Sequence, residues 1–447
     1  MKRLLFLILG ILMILPAANA LAGGGGPPKD MLKGIFTEVN EASRTAAFIK
    51  DGSEAPIILH LGEEMTAADI RLDKKVMVSL NKHAGEGVIK DVSIMFMNMT
   101  LTRIGALLLI GLIGGLLSGF IGSGGAFVLT PAMMSLGAPG AIAVASNMCH
   151  KFPKAMVGAY KRYKYGQADI KLGLVMAVTA IIGVQIGIKI QKYILNHWGN
   201  AGSNLYVSVV FVLVLVLVGA YVLYDAYKLS RHTGEPETPR LAKALMKINL
   251  PPMMEFKVAK VRISAWVTIP VGLFTGMLAA TIAVGGFIGV PGMIYVVGAS
   301  AIVASATELV VAFIMGAWGS IQWGLSGLID IRMTLLILAG SLIGVQLGAL
   351  GTTYVKDHMI KLVMAAVMLI VAVSRGAKIP GYLADLGLRS QLDAHTATLL
   401  NSISFWSLMA ALGSAGIIIT AAMVKGMLEA RAAEQLQGGL QEEVSRG

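Results

Sequence analysis

Two regimes of hydrophobic patterning divide the chain. Between residues 22 and 98, apolar and polar positions alternate in short runs: Gly34–Val39, Ala46–Ile49, Pro56–Leu61 and Lys75–Leu80. Turn residues Asp51-Gly52 and Ala84 to Gly87 separate them. Strand-length runs of period two predict a small all-β domain, a barrel or a sandwich. From residue 103 onward the pattern changes to long apolar segments: Ile104–Phe120, Ile142–Tyr160, Leu172–Ile190, Leu205–Tyr227 and Ile263–Val284. Ala299–Trp318, Met333–Tyr354, Met359–Val373 and Ile403–Val424 follow. Each approaches the roughly 20 residues that cross a hydrocarbon layer of about 30 Å. Phe127–Leu136 and Phe287–Val297 are too short to cross, and each follows glycines, so half-helices are expected there.

At the amino terminus, Lys2 and Arg3 precede an apolar run to Ala18, and Ala18-Asn19-Ala20 follows. This predicts a signal peptide over residues 1–20, or else an uncleaved anchor. Either exports the β domain, which the Gly23–Pro28 linker introduces. Nothing in that domain looks catalytic; His60 and His83 are expected at its solvated surface.

The two halves of the apolar region repeat. Gly124-Gly125 through Pro131 matches Gly285-Gly286 through Pro291, and Ile182–Gly187 matches Ile343–Gly348. The offset is 160 residues at the prolines and 161 at Gln185 and Gln346. In the same register Asp169 meets Asp330, and Ser146-Asn147 meets Thr307-Glu308. A duplicated membrane unit explains so many features in step.

Composition agrees, because 56% of residues are hydrophobic and only 14% charged, against about 25% charged in soluble domains. The single cysteine, Cys149, excludes an internal disulfide or a multi-cysteine metal site and is expected as a small buried residue. No metal or other cofactor is expected. The net charge of +12 raises nucleic acid as a partner, but in a membrane chain Lys and Arg report orientation first. The linker Lys228–Arg262 carries eight Lys or Arg against three Glu, which assigns it to the cytoplasm. Four plain crossings per half would put that linker outside. Counting the short piece as a fifth, partial crossing puts it inside and inverts the second repeat. The basic linker favours inversion.

The fold expected is therefore an all-α polytopic membrane protein with two inverted repeats and glycine-flanked half-helices, plus a small exported all-β N-terminal domain. Its parts are the signal peptide 1–20, the β domain 22–98, repeat one 104–228, a cytoplasmic linker 229–262 and repeat two 263–375. An extracytoplasmic connection 376–402, an extra transmembrane helix 403–424 and a cytoplasmic tail 425–447 complete the chain. The location expected is a bacterial inner membrane.

The run Gly114-Gly115-Leu116-Leu117-Ser118-Gly119-Phe120-Ile121-Gly122-Ser123-Gly124-Gly125, then Pro131, then Gly183-Val184-Gln185-Ile186-Gly187, resembles the TauE/SafE sulfite exporter family. The likeness covers roughly residues 104–375 and recurs in the second half, where the glycine run reads Ala283-Val284-Gly285-Gly286. The β domain and the helix 403–424 lie outside it. The resemblance implies a secondary transporter exporting sulfite, sulfonates or related anions.

The residues themselves point to an anion site. Glycines before a short apolar segment let the backbone leave helical geometry, and a half-helix beginning there presents free N–H groups. The candidates are Gly124, Gly125 and Pro131 with Gly285, Gly286 and Pro291. The other reading is that these glycines only permit tight helix packing. Ser146, Asn147 and Thr307 are polar candidates just beyond the short pieces. Glu308 is a candidate proton carrier, because a carboxyl taken out of water can hold a proton near neutral pH, or else a structural hydrogen-bonding group. Gln185 and Gln346 either contact substrate or glue helices together. His150, Lys151 and Lys154 either neutralise an anion or face cytoplasmic water, the latter favoured. Asp169 and Asp330 are expected as helix caps.

A small anionic substrate and the lipid bilayer are thus the expected partners, without nucleic acid, and no enzyme activity is expected. An uncoupled anion channel, and a membrane-anchored sensor or assembly protein acting through the exported domain, remain alternatives.

Overall fold

The N-terminal alternation builds a closed barrel. The computed structural model describes residues 31–50, 53, 55–62, 65–67, 70, 72, 75–80, 87–94, 96–121, 125–231, 239–351 and 357–446. The signal-peptide segment 1–20, the Gly23–Pro28 linker, Asp51-Gly52, His83, Ala84 to Glu86 and Gly124 lie outside these residues. Strands β1 (Met31–Asn40), β2 (Thr45–Lys50), β3 (Pro56–Leu61), β4 (Lys75–Leu80) and β5 (Val88–Ile94) follow one another in the barrel in the order β1-β2-β3-β5-β4, and β4 returns to β1. The β3–β5 pair is parallel and the others antiparallel. Phe36 and Phe48 meet edge to face at 4.9 Å in its core. Strand β5 was not expected, because Lys90-Asp91 interrupts its apolar alternation.

The rest is mainly helical. Helices α1 (Leu101–Ile121), α2 (Ala126–Ser135), α3 (Gly140–Lys164) and α4 (Ile170–Arg231) form the first half. Helices α6 (Ala265–Ile282), α7 (Gly286–Gly292, extended by a π-helical turn Met293–Val297), α8 (Ala301–Leu325), α9 (Ile331–Gly351) and α10 (Asp357–Asp385) form the second. The linker holds the short helix α5 (Arg240–Leu245) and a hairpin, β6 (Met253–Phe256) with β7 (Val261–Ser264), where no strands were expected. Helix α11 (Ala394–Arg446) ends the chain and runs on through the residues expected as a tail.

Among the described residues, seven helices are long and apolar enough to cross a membrane. Helix α3 has the length, 25 residues, but is too polar through its middle, from Ser146 to Lys154, to be among them. Helix α4 is two helices joined end to end: Gly199 takes φ 61°, which favours glycine, and the chain folds back there. Gln191 Nε2 donates to Ser203 Oγ at 3.2 Å across that bend. The expected short pieces are present as α2 and as the apolar stretch Gly286–Val297.

Glycine seams decide how these helices pack. A side chain at Gly340, Gly344 or Gly348 of α9 would strike the backbone of Leu108, Leu112 or Leu116 of α1. Gly111 and Gly115 of α1 lie in turn against Ile337 and Ser341. The first part of α4 and α6 meet the same way, Gly183 and Gly187 against Leu273 and Met277, Gly272 and Gly276 against Met176 and Ala180. Residue numbers rise together along both pairs, so α1 runs parallel to α9 and α6 parallel to the first part of α4. Helices α3 and α8 run antiparallel, with Gly319 at Met148, Gly316 at Phe152 and Gly158 at Leu309. The first helix of each half therefore seats on the fourth helical piece of the other.

Candidate functional site

Both half-helices begin inside the bundle rather than at its edge. Gly125 lies so close to the Gly114 carbonyl, midway along α1, that no side chain fits there. Helix α2 therefore starts at mid-depth and runs back beside α1, buried from Ala126 to Met134. In the second half Ala283 ends α6 in the left-handed region at φ 61°, and Gly285 returns against the Thr275 carbonyl. Phe127 and Phe287 then meet edge to face, with centroids 4.8 Å apart. The first turns of the two half-helices thus abut. Pro131 and Pro291 have no N–H to offer, which leaves the carbonyls of Phe127 and Phe287 without their helical donors. Gly286 opens the second half-helix.

Helix α3 carries the polar side chains to this junction. Asn147, His150, Lys151 and Lys154 stand at i, i+3, i+4 and i+7, which is one face of a helix. Asn147 Nδ2 donates to the Ala126 carbonyl at 3.1 Å and to Thr130 Oγ1 at 2.8 Å, pinning the first turn of α2. Its Oδ1 can only accept, so the 3.3 Å contact with His150 Nδ1 places a proton on that nitrogen. His150 Nε2 lies 2.7 Å from Ser341 Oγ of α9, a hydroxyl that also bonds the Leu338 carbonyl at 3.2 Å.

The expectation that His150, Lys151 and Lys154 face water is overturned. They are only 1%, 7% and 8% exposed. Among the described residues neither ammonium has a hydrogen bond or an ion pair. Glu308, 2% exposed on α8, lies within charge range of Lys151, and neither of its carboxylate oxygens has a hydrogen-bond partner. Gly289 of α7 packs directly on that carboxylate, so a side chain there would displace it. The two halves differ here. Positions 161 residues beyond His150, Lys151 and Lys154 are Val311, Ala312 and Met315. The cationic face belongs to the first half alone.

The remaining candidates divide by position. The Ser146 hydroxyl accepts the Asp330 backbone N–H at 3.0 Å, and Thr307 Oγ1 accepts that of Asp169 at 3.0 Å. Each ties one half to the start of a helix in the other. Asp169 and Asp330 are caps, as expected, and more. Asp169 Oδ1 accepts from Leu172 N, while Oδ2 accepts Val258 N and Ala259 N of the linker hairpin at 3.0 and 3.1 Å. Asp330 pairs with Arg332 at 2.9 Å, and Arg332 donates to the Met97 carbonyl at 3.3 Å. Each aspartate thereby holds the segment entering the first helix of the other half. Gln185 is half-buried and Gln346 exposed, away from the junction; in the G-x-Q-x-G motif it is the glycines that meet a neighbouring helix. Gly124 lies outside the described residues.

Sequence reasoning weighed His150, Lys151 and Lys154 as anion-neutralising groups but favoured water for them, and it passed over Ser341. Spacing was the available signal, since Asn147, His150, Lys151 and Lys154 read as one helical stripe once taken together.

A family model described as sulfite exporter TauE/SafE matches residues 107–375. The chain is also similar to the "Probable membrane transporter protein YdhB" of Bacillus subtilis (strain 168), at 23% identity over 253 residues, covering 55% of this chain and 89% of that protein. No solved structure matches. The matched family region holds both half-helices, the α3 stripe and Glu308, and leaves out the barrel and α11.

Proposed function

This chain belongs to the sulfite exporter TauE/SafE family, and from that membership we propose that it is a secondary transporter exporting sulfite, a sulfonate or another small sulfur-containing anion, coupled to protons. That it is a multi-pass membrane transporter of the TauE/SafE type follows from the family and from the relative. The anionic substrate rests on one observation: Lys151 and Lys154 are buried at the half-helix junction without hydrogen bonds or ion pairs, with Glu308 as the acid beside them. Buried charge without a partner is costly, so a bound anion would supply what the two ammoniums lack.

In this reading the anion sits beside the first turns of α2 and α7, near Gly125, Pro131, Asn147, Gly285, Gly286 and Pro291. Glu308 would take up a proton as the anion leaves Lys151. Ser146 and Thr307 hold the scaffold through their bonds to the opposite half. The repeats are inverted, a reading supported by the antiparallel course of α3 and α8, which are equivalent helices of the two halves. The basic linker then lies in the cytoplasm of a bacterial cell, with the barrel on the other side of the inner membrane. The connection expected over 376–402 is helical at both ends and shrinks to residues 386–393, which lie on the barrel's side.

The test is flux in proteoliposomes loaded with sulfite, thiosulfate, sulfoacetate or sulfate under an imposed pH gradient. At least one anion should move, with counterflow dependent on the gradient. No flux of any of them under any gradient would sink the reading, and flux indifferent to the gradient would indicate a channel.

A further inference from the structure

A second buried cation stands well away from the α3 stripe, on a helix face that the first half does not repeat. Arg375 of α10 is 0% exposed, yet only part of its guanidinium is engaged. Its Nη2 donates to Ser135 Oγ, the last residue of α2, at 2.7 Å and reaches Ser404 Oγ of α11 at 3.4 Å. Nε and Nη1 have no hydrogen-bond partner among the described residues. The Tyr382 hydroxyl lies close enough to interact with the guanidinium. Position 214, which corresponds to Arg375 at the repeat offset, is a valine.

A cavity of about 260 Å³ opens between α10 and α11, its lining beginning at Ala377 and Lys378, less than one turn along α10 from the buried Arg375. Lys378 and Tyr382 line it, and with Arg375 they occupy i, i+3 and i+7 of one α10 face. Asn401 lines it from α11, one turn from Ser404, and accepts a hydrogen bond from Lys378 Nζ at 2.6 Å. Asp385 lies at the far end of the cavity, one turn beyond Tyr382, and is the acidic group lining it.

We propose that Arg375, Tyr382 and Lys378 form a second binding site for a small oxyanion, completed by α11 and separate from the α3 lysines. A guanidinium buried in a membrane bundle with two N–H-bearing nitrogens unpaired is expensive, and an oxyanion is the ligand whose geometry matches that planar fork. Lys378 and the Tyr382 hydroxyl add donors from the cavity side. The site lies at the end of the bundle where α2 finishes and α1 begins, so an anion held there is one station along the axis of α2 from the half-helix junction. The family match stops at residue 375, so the helix that closes the site lies outside the common core.

Binding of sodium sulfate and sodium sulfite to the purified full-length protein, by calorimetry in phosphatidylcholine nanodiscs, tests this. The expected stoichiometry is two anions per chain, falling to one in Arg375→Gln. In the Lys151→Gln/Lys154→Gln protein one anion site should persist and vanish when Arg375→Gln is added. Those two results separate this proposal from the function proposed for the junction. Tyr382→Phe, which keeps the guanidinium and its bond to Ser135, should weaken the second site by about three- to tenfold, the worth of one hydrogen bond, and serves if Arg375→Gln does not fold. Nanodiscs containing phosphatidylglycerol distinguish the source of the oxyanion: loss of the second sulfate site there, with no further loss on Arg375→Gln, assigns it to a lipid phosphate. One site in the wild type, unaltered by Arg375→Gln and Tyr382→Phe, would overturn the proposal.

Discussion

Lys151, Lys154 and Glu308 are the charged side chains that hydrogen bonding leaves unsatisfied among the described residues of the junction. The lysines' neighbours on α3, Asn147 and His150, are satisfied by Ala126, Thr130 and Ser341, whereas the lysines are not. Removing either lysine charge takes away an attraction the substrate would feel inside a low-dielectric bundle. Lys154→Gln should lower kcat/KM for anion flux by about 10- to 100-fold, the worth of a charge-assisted hydrogen bond, while thermal unfolding holds or moves upward, because an unpaired buried charge is removed. Glu308→Gln imitates the protonated carboxyl, so flux should continue while its dependence on the pH gradient is lost. An unchanged gradient dependence in proteoliposomes would remove Glu308 from coupling. At this scale the sequence was only partly legible. Glu308 stood out because a lone acid in an apolar segment is conspicuous, whereas the lysines lay beside the basic run Lys161-Arg162 and were assigned to the same watery surface.

Helix packing explains what the repeated motifs do between the reactive residues. The glycines of the G-x-Q-x-G motifs, four residues apart, share one helix face and let two backbones touch, while Gln185 is half-buried and Gln346 exposed. Small residues at such spacing are the usual means of close approach in lipid. Gly344→Leu would drive a side chain into the Leu112 carbonyl, and overpacking of that kind costs about 1–3 kcal/mol or more. Gly413 of α11 has nothing near it, so Gly413→Ala should hold or raise stability through helix propensity, worth up to about 1 kcal/mol. Thermal unfolding in detergent compares the two directly, and equal behaviour would mean that the seam is not load-sharing. Elements were well read where the pattern was long and periodic, as in α1, α6 and α9. The strands β5, β6 and β7 were missed, because β5 is broken by charges and the other two have only four residues each.

At the scale of the whole molecule, the offset of about 160 residues becomes a physical exchange of partners between halves. Helix α1 seats on α9 and α6 on the first part of α4, and the aspartates at positions 169 and 330 each hold the chain entering the other half's first helix. The duplication was readable from sequence because glycine, proline and aspartate recur in step. Its orientation in the membrane was read only through charge, the basic linker favouring inversion, since the depth of a half-helix leaves no mark in composition. Following the chain through the bundle, α1, α3 and the second part of α4 run one way, while α6 and α8 run the other. The first helices of the two halves therefore point in opposite directions. This makes sidedness testable with two exposed positions, Lys257 in the linker hairpin and Ser390 between α10 and α11. In a Cys149→Ala background, Ser390→Cys should react with a membrane-impermeant maleimide on intact cells. Lys257→Cys should react only after the membrane is permeabilised. Labelling of both from the same side would mean that the second half is not inverted relative to the first, because an even number of crossings would then separate the two positions in a way the observed helix directions do not allow.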